Sequence, residues 1–312
     1  MRQGNGFSET AWLIWLSGAG CDGCTQALIG AAEPSLEDLL LGNIPDVPRL
    51  ALIHPQFGPH FFTQPKNSSR STGSLRPVNE NYWKPGESYE TLLRRAAAGE
   101  LHPYLLVLDG ALYEEPVATN GSFAQIGADR EGQPLTTASW LKLLAPHAEA
   151  VLAVGSCASF GGMPAATVDA TVANGVVVKG IEDVLGKQFR SQSDLPVIHL
   201  PGCAPAGEWM LETLHYIFLH LAHLVPLDLD ETGRPRWLFN KETYPLPPRA
   251  DYPPAADFDA ARSPKVACTV PAQGWLRGLG GCTRMGGSCI ACTERNFADR
   301  HLPFARPDAF AA

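Results

Sequence analysis

The sequence has no stretch long and apolar enough for a membrane-crossing helix, which takes about eighteen residues or more. Near the N-terminus the apolar run is only six residues, Ala11–Leu16. That is too short for a secretory core, and the single Arg before it forms no twin-Arg pair. The chain therefore reads as cytoplasmic, meeting a membrane only through a partner. Charge is also scarce, at 18% against about a quarter in ordinary domains. The balance is acidic, 32 Asp and Glu against 24 Lys and Arg for a net charge of −8. With no basic stripe to hold a phosphate backbone, nucleic-acid binding is excluded. A G-x-S-x-G elbow, a Walker loop and a G-x-G-x-x-G after a strand are all missing, which removes hydrolase, nucleotide and nicotinamide readings.

What is present is a 312-residue chain that is 45% hydrophobic, with 30 Gly and 27 Pro. That is enough for one large domain or two ordinary ones, loop-rich and with much of its surface covered by a partner. Ala11–Leu16, Leu50–His54, Tyr104–Leu108, Ala150–Val154 and Pro196–Leu200 read as short buried strands bounded by Gly, Pro or Asp. Tyr89–Ala98, Thr137–Leu144 and Gly207–Leu224 have helical length and spacing. Strands separated by helices predict an α/β, doubly wound parallel sheet of flavodoxin-like type over residues 1–225. From 226 to 312 the pattern predicts a loop-rich domain, dense in Pro and aromatics, that needs a metal or cluster as a staple. Gln64–Ser88 is polar and reads as a surface loop, with Tyr82 and Trp83 packed on its own domain or against a neighbour.

Eight cysteines are hard to read as disulfides in a reducing compartment and read better as metal or cluster ligands. Cys21 and Cys24 follow the first strand, Cys157 the fourth and Cys203 the fifth. Sites in such sheets gather outside the carboxyl ends of the strands, so these four thiols can converge. CDGC alone fits zinc, a redox dithiol or iron–sulfur. Cys157 and Cys203 sit in glycine-flanked turns, GSCASFGG and PGCAP, and Gly permits the backbone approach that cluster sulfides need for hydrogen bonding. Iron–sulfur therefore leads over a structural zinc.

The segments AWLIWLSGAGCDGCT, VLAVGSCASFGG and HLPGCAPAGEW together resemble the small, electron-transferring subunit of nickel–iron hydrogenases. GAAEPSLEDLLLG and the Asp inside CDGC are most similar to the actinobacterial-type, high-affinity group. The resemblance implies that Cys21, Cys24, Cys157 and Cys203 bind a proximal four-iron cluster. Asp22, between two of these ligands, is the alternative ligand to Cys21 or else a solvated or capping residue before a helix at Thr25. Oxygen-tolerant membrane-bound relatives add two cysteines at this site. The matching positions here are Gly23 and Gly162, which excludes that cluster variant.

VACTVPAQGWLRGLGGCTRMGGSCIACTERNF resembles the family's middle-cluster segment. Most relatives place three cysteines there; this chain has Cys268, Cys282, Cys289 and Cys292, which favours a second four-iron cluster. A zinc ribbon would pair the final CxxC with another, and Cys268 and Cys282 are not so spaced. Between Gly233 and Cys268 there is neither His nor Cys, so the ligands of the family's distal cluster are lacking. Two clusters are expected, with electrons leaving from the second to a redox protein docked near the C-terminal domain.

His220 and His223 stand at i and i+3 on a helical pattern, compatible with a metal pair but read first as packed or surface residues. His54 ends a strand and is open to a pathway or interface role. The nickel–iron site of the family is framed by Arg-x-Cys-Gly-x-Cys and Asp-Pro-Cys-x-x-Cys, which this chain lacks. No catalytic residue is expected in it: the nickel–iron centre belongs to a separate large subunit, the two pairing as a heterodimer and the pairs as an oligomer. Two rivals remain. One is the cluster-bearing subunit of another oxidoreductase related to respiratory complex I, which carries adjacent cysteines in its first motif. The other is a scaffold held by two structural zinc ions.

Overall fold

The computed structural model describes residues 10–56, 87–114, 124–167, 177–239, 268, 292–295 and 297. In chain order the elements are β1 Thr10–Ser17, α1 Gly23–Ile29, α2 Leu36–Leu41, β2 Arg49–Ile53, α3 Tyr89–Ala97, β3 Tyr104–Asp109, β4 Leu112–Tyr113, β5 Gln125–Ala128, β6 Pro134–Thr136, α4 Thr137–Leu144, β7 Ala150–Val154, α5 Gly155–Phe160, α6 Gly162–Thr167, β8 Val178–Lys179, α7 Ile181–Leu185, β9 Ile198–Leu200 and α8 Gly207–Leu221. Five of the strands form one sheet in the order β2-β1-β3-β7-β9, and every pairing in it is parallel. Counting only these strands, the order is 2-1-3-4-5, the flavodoxin-like doubly wound arrangement expected.

The central strands read as unbroken apolar runs because both of their faces are covered. In β1, Leu13 and Trp15 point into one core with Leu28 of α1 and Met210, Leu214 and Phe218 of α8. Trp12, Ile14 and Leu16 point the other way, against Leu92 and Leu93 of α3 and Trp140 and Leu141 of α4. The period of two along the strand distributes these residues. Helix α8 lies close on α1: a β-carbon on Gly207 would stand 2.0 Å from the Ala27 carbonyl oxygen. Beyond residue 225, Leu238 and Phe239 are buried in the same core as Leu214 and Phe218. Antiparallel pairs β4–β8 and β5–β6 stand apart from the main sheet. Among the described residues no helix is long and apolar enough to cross a membrane.

Helix α8 stops at Leu221, three residues before the expected end. His223 therefore lies off the helix, in a left-handed turn with φ 59°. His220 Nδ1 accepts the Leu227 N–H at 3.0 Å, so that ring packs on the loop after the helix, and the two histidines do not share one helical face. The Gln64–Ser88 loop, including Tyr82 and Trp83, falls almost wholly outside the described residues.

Candidate metal centre

The strand order reverses between β1 and β3, and the first thiol follows that point directly. The Gly18 N–H donates to the Asp109 carbonyl at 2.7 Å, and Ala19 and Ala111 exchange N–H to carbonyl bonds of 2.7 Å each. The approach requires Gly18, where a β-carbon would meet the Ala111 carbonyl oxygen at 2.2 Å. The chain then passes exposed Cys21 and reaches Asp22, which is left-handed at φ 58° and starts α1. The Asp22 side chain makes no capping hydrogen bond, so the capping reading of this residue is not met. Its carbonyl accepts the Gln26 N–H at 3.0 Å instead.

Cys24 is not on a strand-end loop but on the first turn of α1, and it is buried. Its Sγ lies 3.8 Å from the carbonyl of Val154, the last residue of β7. Cys157 likewise sits in the short helix α5 rather than in a turn. A sequence such as GSCASF has no apolar period to announce that helix; the end of β7 and the left-handed Gly155 start it. Cys203 is exposed and follows β9. Cys21, Cys157 and Cys203 line a single cleft of about 940 Å³.

Electrostatics ties the four thiols into one group. Burial pushes the Cys24 thiol far up, and negative charge at Asp109, Cys157 and Cys21 adds to the shift. Burial pushes Cys157 up to about 12, helped by Cys203, Cys21 and Asp109. Cys203 is raised by burial and then by Cys21. Four thiolates so placed repel one another and hold together only around compensating positive charge. Three glycines leave room beside the sulfurs. A β-carbon would stand 3.2 Å from the Cys21 Sγ at Gly23, 2.6 Å from the Cys24 Sγ at Gly155 and 3.0 Å from the Cys157 Sγ at Gly162. Among the described residues no three His, Cys, Asp or Glu side chains stand close enough to hold a single metal ion. None of the six described cysteines forms a disulfide.

Below the thiols is a buried polar chain that sequence reasoning missed. The Gln56 N–H donates to His54 Nδ1 at 3.1 Å, which leaves the proton on Nε2. Nε2 lies 3.3 Å from Thr25 Oγ1, and the Thr25 hydroxyl donates to Asp109 Oδ2 at 3.3 Å. Asp109 also hydrogen-bonds Cys24, and burial raises its carboxyl. The available signal was an acidic residue closing an otherwise apolar strand, YLLVLD.

Of the second cysteine set, Cys282 and Cys289 lie outside the described residues. Cys268 and the residue after Cys292 are both held at the turn 234–239. Cys268 forms an antiparallel bridge with Phe239. The residue after Cys292 is held by Arg234, whose Nη1 donates to the Thr293 carbonyl at 3.1 Å. Arg234 is itself buried, paired to Asp230 at 2.8 Å and seated over the Phe239 ring at 5.3 Å.

Residues 21–217 match the family described as NADH ubiquinone oxidoreductase, 20 Kd subunit. Longer matches fall to hydrogenases. The F420 non-reducing hydrogenase II small subunit of Methanosarcina mazei is 27% identical over 95% of this chain and 75% of its own length. The periplasmic [NiFeSe] hydrogenase small subunit of Desulfomicrobium baculatum is 25% identical over 95% of this chain and 87% of its own. Among solved structures, the actinobacterial-type NiFe-hydrogenase from Ralstonia eutropha H16 superimposes with a TM-score of 0.72 at 31% identity, covering 96% of this chain and 84% of that one. With its parallel sheet, its four gathered thiols and these likenesses along nearly its whole length, the chain belongs to the family of nickel–iron hydrogenase small subunits.

Proposed function

We propose that this chain passes electrons from a nickel–iron site on a separate large subunit, where hydrogen is oxidised, through two four-iron clusters to a further redox protein. The observation that carries the reading is the first thiol group. Cys21, Cys24, Cys157 and Cys203 come from three strand ends of one sheet; burial raises Cys24, Cys157 and Cys203, the charge of Cys21 adds to each of those shifts, and glycine stands where a side chain would intrude. These residues fit a four-iron cluster, which takes one thiolate per corner and so accommodates ligands set wider than a single ion does. Asp22 is the alternative to Cys21. Cys268, Cys282, Cys289 and Cys292 would hold the second cluster.

When bound, such clusters take up and release electrons one at a time. The chain's own part is to hold and tune them. Cys24 and Cys157 bring the site under cover from water, and the Asp109 carboxyl faces the Cys24 sulfur. Exposed Met163, on the rim of the cleft, and the low charge of the whole chain suit a broad apolar contact with the large subunit.

Elemental analysis of the anaerobically purified complex tests this reading. Two four-iron clusters give about eight iron and eight sulfide in this chain, the partner adding roughly one nickel and one iron. About twelve iron in this chain would overturn the two-cluster count. About two zinc with negligible iron would overturn the redox reading in favour of a zinc-held scaffold.

A further inference from the structure

Ser156 is 2% exposed and spends its polar hydrogens across the fold. Its N–H donates to the Gly202 carbonyl at 3.0 Å. Its Oγ accepts the Gly202 N–H at 3.0 Å, and its hydroxyl donates to the Cys292 carbonyl. A serine in the first turn of a helix ordinarily caps it or faces water; this one does neither. Ser156 precedes Cys157 and Gly202 precedes Cys203. One hydroxyl therefore joins the backbones of two thiols in the first group to the backbone of a thiol in the second. The far side of that segment is clamped independently. Arg234 holds the Thr293 carbonyl, and Arg295 pairs with Glu182 at 2.9 Å while lying 4.8 Å over the Phe160 ring.

We propose that Ser156 is the positioning residue that fixes Cys292 against Cys157 and Cys203 and carries the electronic coupling between the two iron–sulfur sites. This rests on the electron-transfer reading above. In the step concerned one electron leaves the first site, which is oxidised, and enters the second, which is reduced. No bond is made or broken, and the hydroxyl keeps its proton. Hydrogen oxidised on the partner supplies the electron, and an added one-electron viologen dye removes it. The route from Cys157 through Ser156 to Cys292 runs along covalent bonds and a single hydrogen bond, with no gap to cross. Alanine at 156 would open such a gap and leave the buried Gly202 N–H and Cys292 carbonyl without this partner.

The test uses Ser156→Ala and Ser156→Thr in the intact complex, purified without air. Readouts are iron content, the magnetic interaction between the two reduced sites by low-temperature EPR, and their order of reduction after rapid mixing with hydrogen. S156A is expected to keep its iron and to reduce the first site at the unsubstituted rate. Reduction of the second site should slow by about tenfold or more, and the magnetic interaction should weaken. S156T, which keeps the hydroxyl, is expected to restore both. Unchanged coupling in S156A, or an equal loss in S156T, would overturn the proposal. Should S156A fail to assemble, Arg234→Lys loosens the same segment from its other side and is expected to slow the same step. An unchanged step there would also overturn it. Absence of two iron–sulfur signals in the unsubstituted complex would overturn the electron-transfer reading itself, and this proposal with it.

Discussion

Gly155 leaves the space that Cys24 occupies: a β-carbon at residue 155 would stand 2.6 Å from the Cys24 Sγ. The glycine is also left-handed, with φ 85°, where a side chain is strained. Gly155→Ala is therefore expected to cost about 2–4 kcal/mol and to lower bound iron and sulfide below half. Gly132→Ala is the control, with φ 79° but nothing within 4 Å of the new carbon. Thermal midpoints and iron content of the two variants check this. Equal losses would mean that the approach to the thiol is unimportant.

Cys21 and Asp22 are adjacent but serve different sides of the site. Cys21 lines the cleft with Cys157 and Cys203, whereas the charge of Asp22 is felt by His54 and Asp109. Cys21→Ala and Cys157→Ala are expected to lose the first cluster and to abolish hydrogen-driven dye reduction, with nickel retained in the partner. Asp22→Asn is expected to keep both iron and activity. Iron retained in C21A and lost in D22N would assign the ligand to the aspartate.

His54 makes the stability pH-dependent. Burial lowers its pKa to about 4, while an unfolded chain titrates it near 6.5. Between those values the unfolded state binds the extra proton, so stability falls as pH drops from about 6.5 to about 4 and is flat for this residue on either side. The loss amounts to about 3 kcal/mol at most. His54→Gln should flatten the thermal midpoint over that window, and an unchanged slope would remove His54 as its cause.

Arg234 joins the 234–239 turn to the Cys292 segment through Asp230 and the Thr293 carbonyl. Replacing it by Met leaves the buried Asp230 carboxylate unpaired, at a cost of about 3–5 kcal/mol. Asp230→Asn in the same chain is expected to recover part of that loss. Thermal unfolding of the single and double variants measures the difference.

The sheet was legible because its strands are short apolar runs closed by Gly, Pro or Asp. Ala150–Val154 matches to the residue, and Tyr104–Leu108 extends only by Asp109. Thr137–Leu144 and the start of α8 were legible from helical spacing. Other features leave no periodic trace. Helix α5 is six residues without an apolar stripe and forms because a strand ends there. Strand β9 begins at Ile198, two residues later than the apolar run suggests. The inward turn of Asp109 toward Thr25 and the tie from Ser156 to Cys292 depend on elements far apart in the chain. Such long-range contacts are set by packing, and no local pattern encodes them.

The scattering of the first thiols over three strand ends dictates an order of manufacture. Cys21 and Cys24 leave β1, Cys157 leaves the end of β7 and Cys203 leaves β9, the edge strand of the sheet. No partial sheet presents all four, so metal cannot nucleate this half of the molecule as it does a zinc finger. If these four thiols hold a cluster, as proposed, the sheet has to close through β9 before the full set of ligands exists for it. A cluster taken up there would displace protons from Cys24 and Cys157, whose thiols burial pushes up, which would make its uptake an acid-releasing event. On the proposed reading, the cleft lined by Cys21, Cys157 and Cys203 would be the last part of the subunit to be completed.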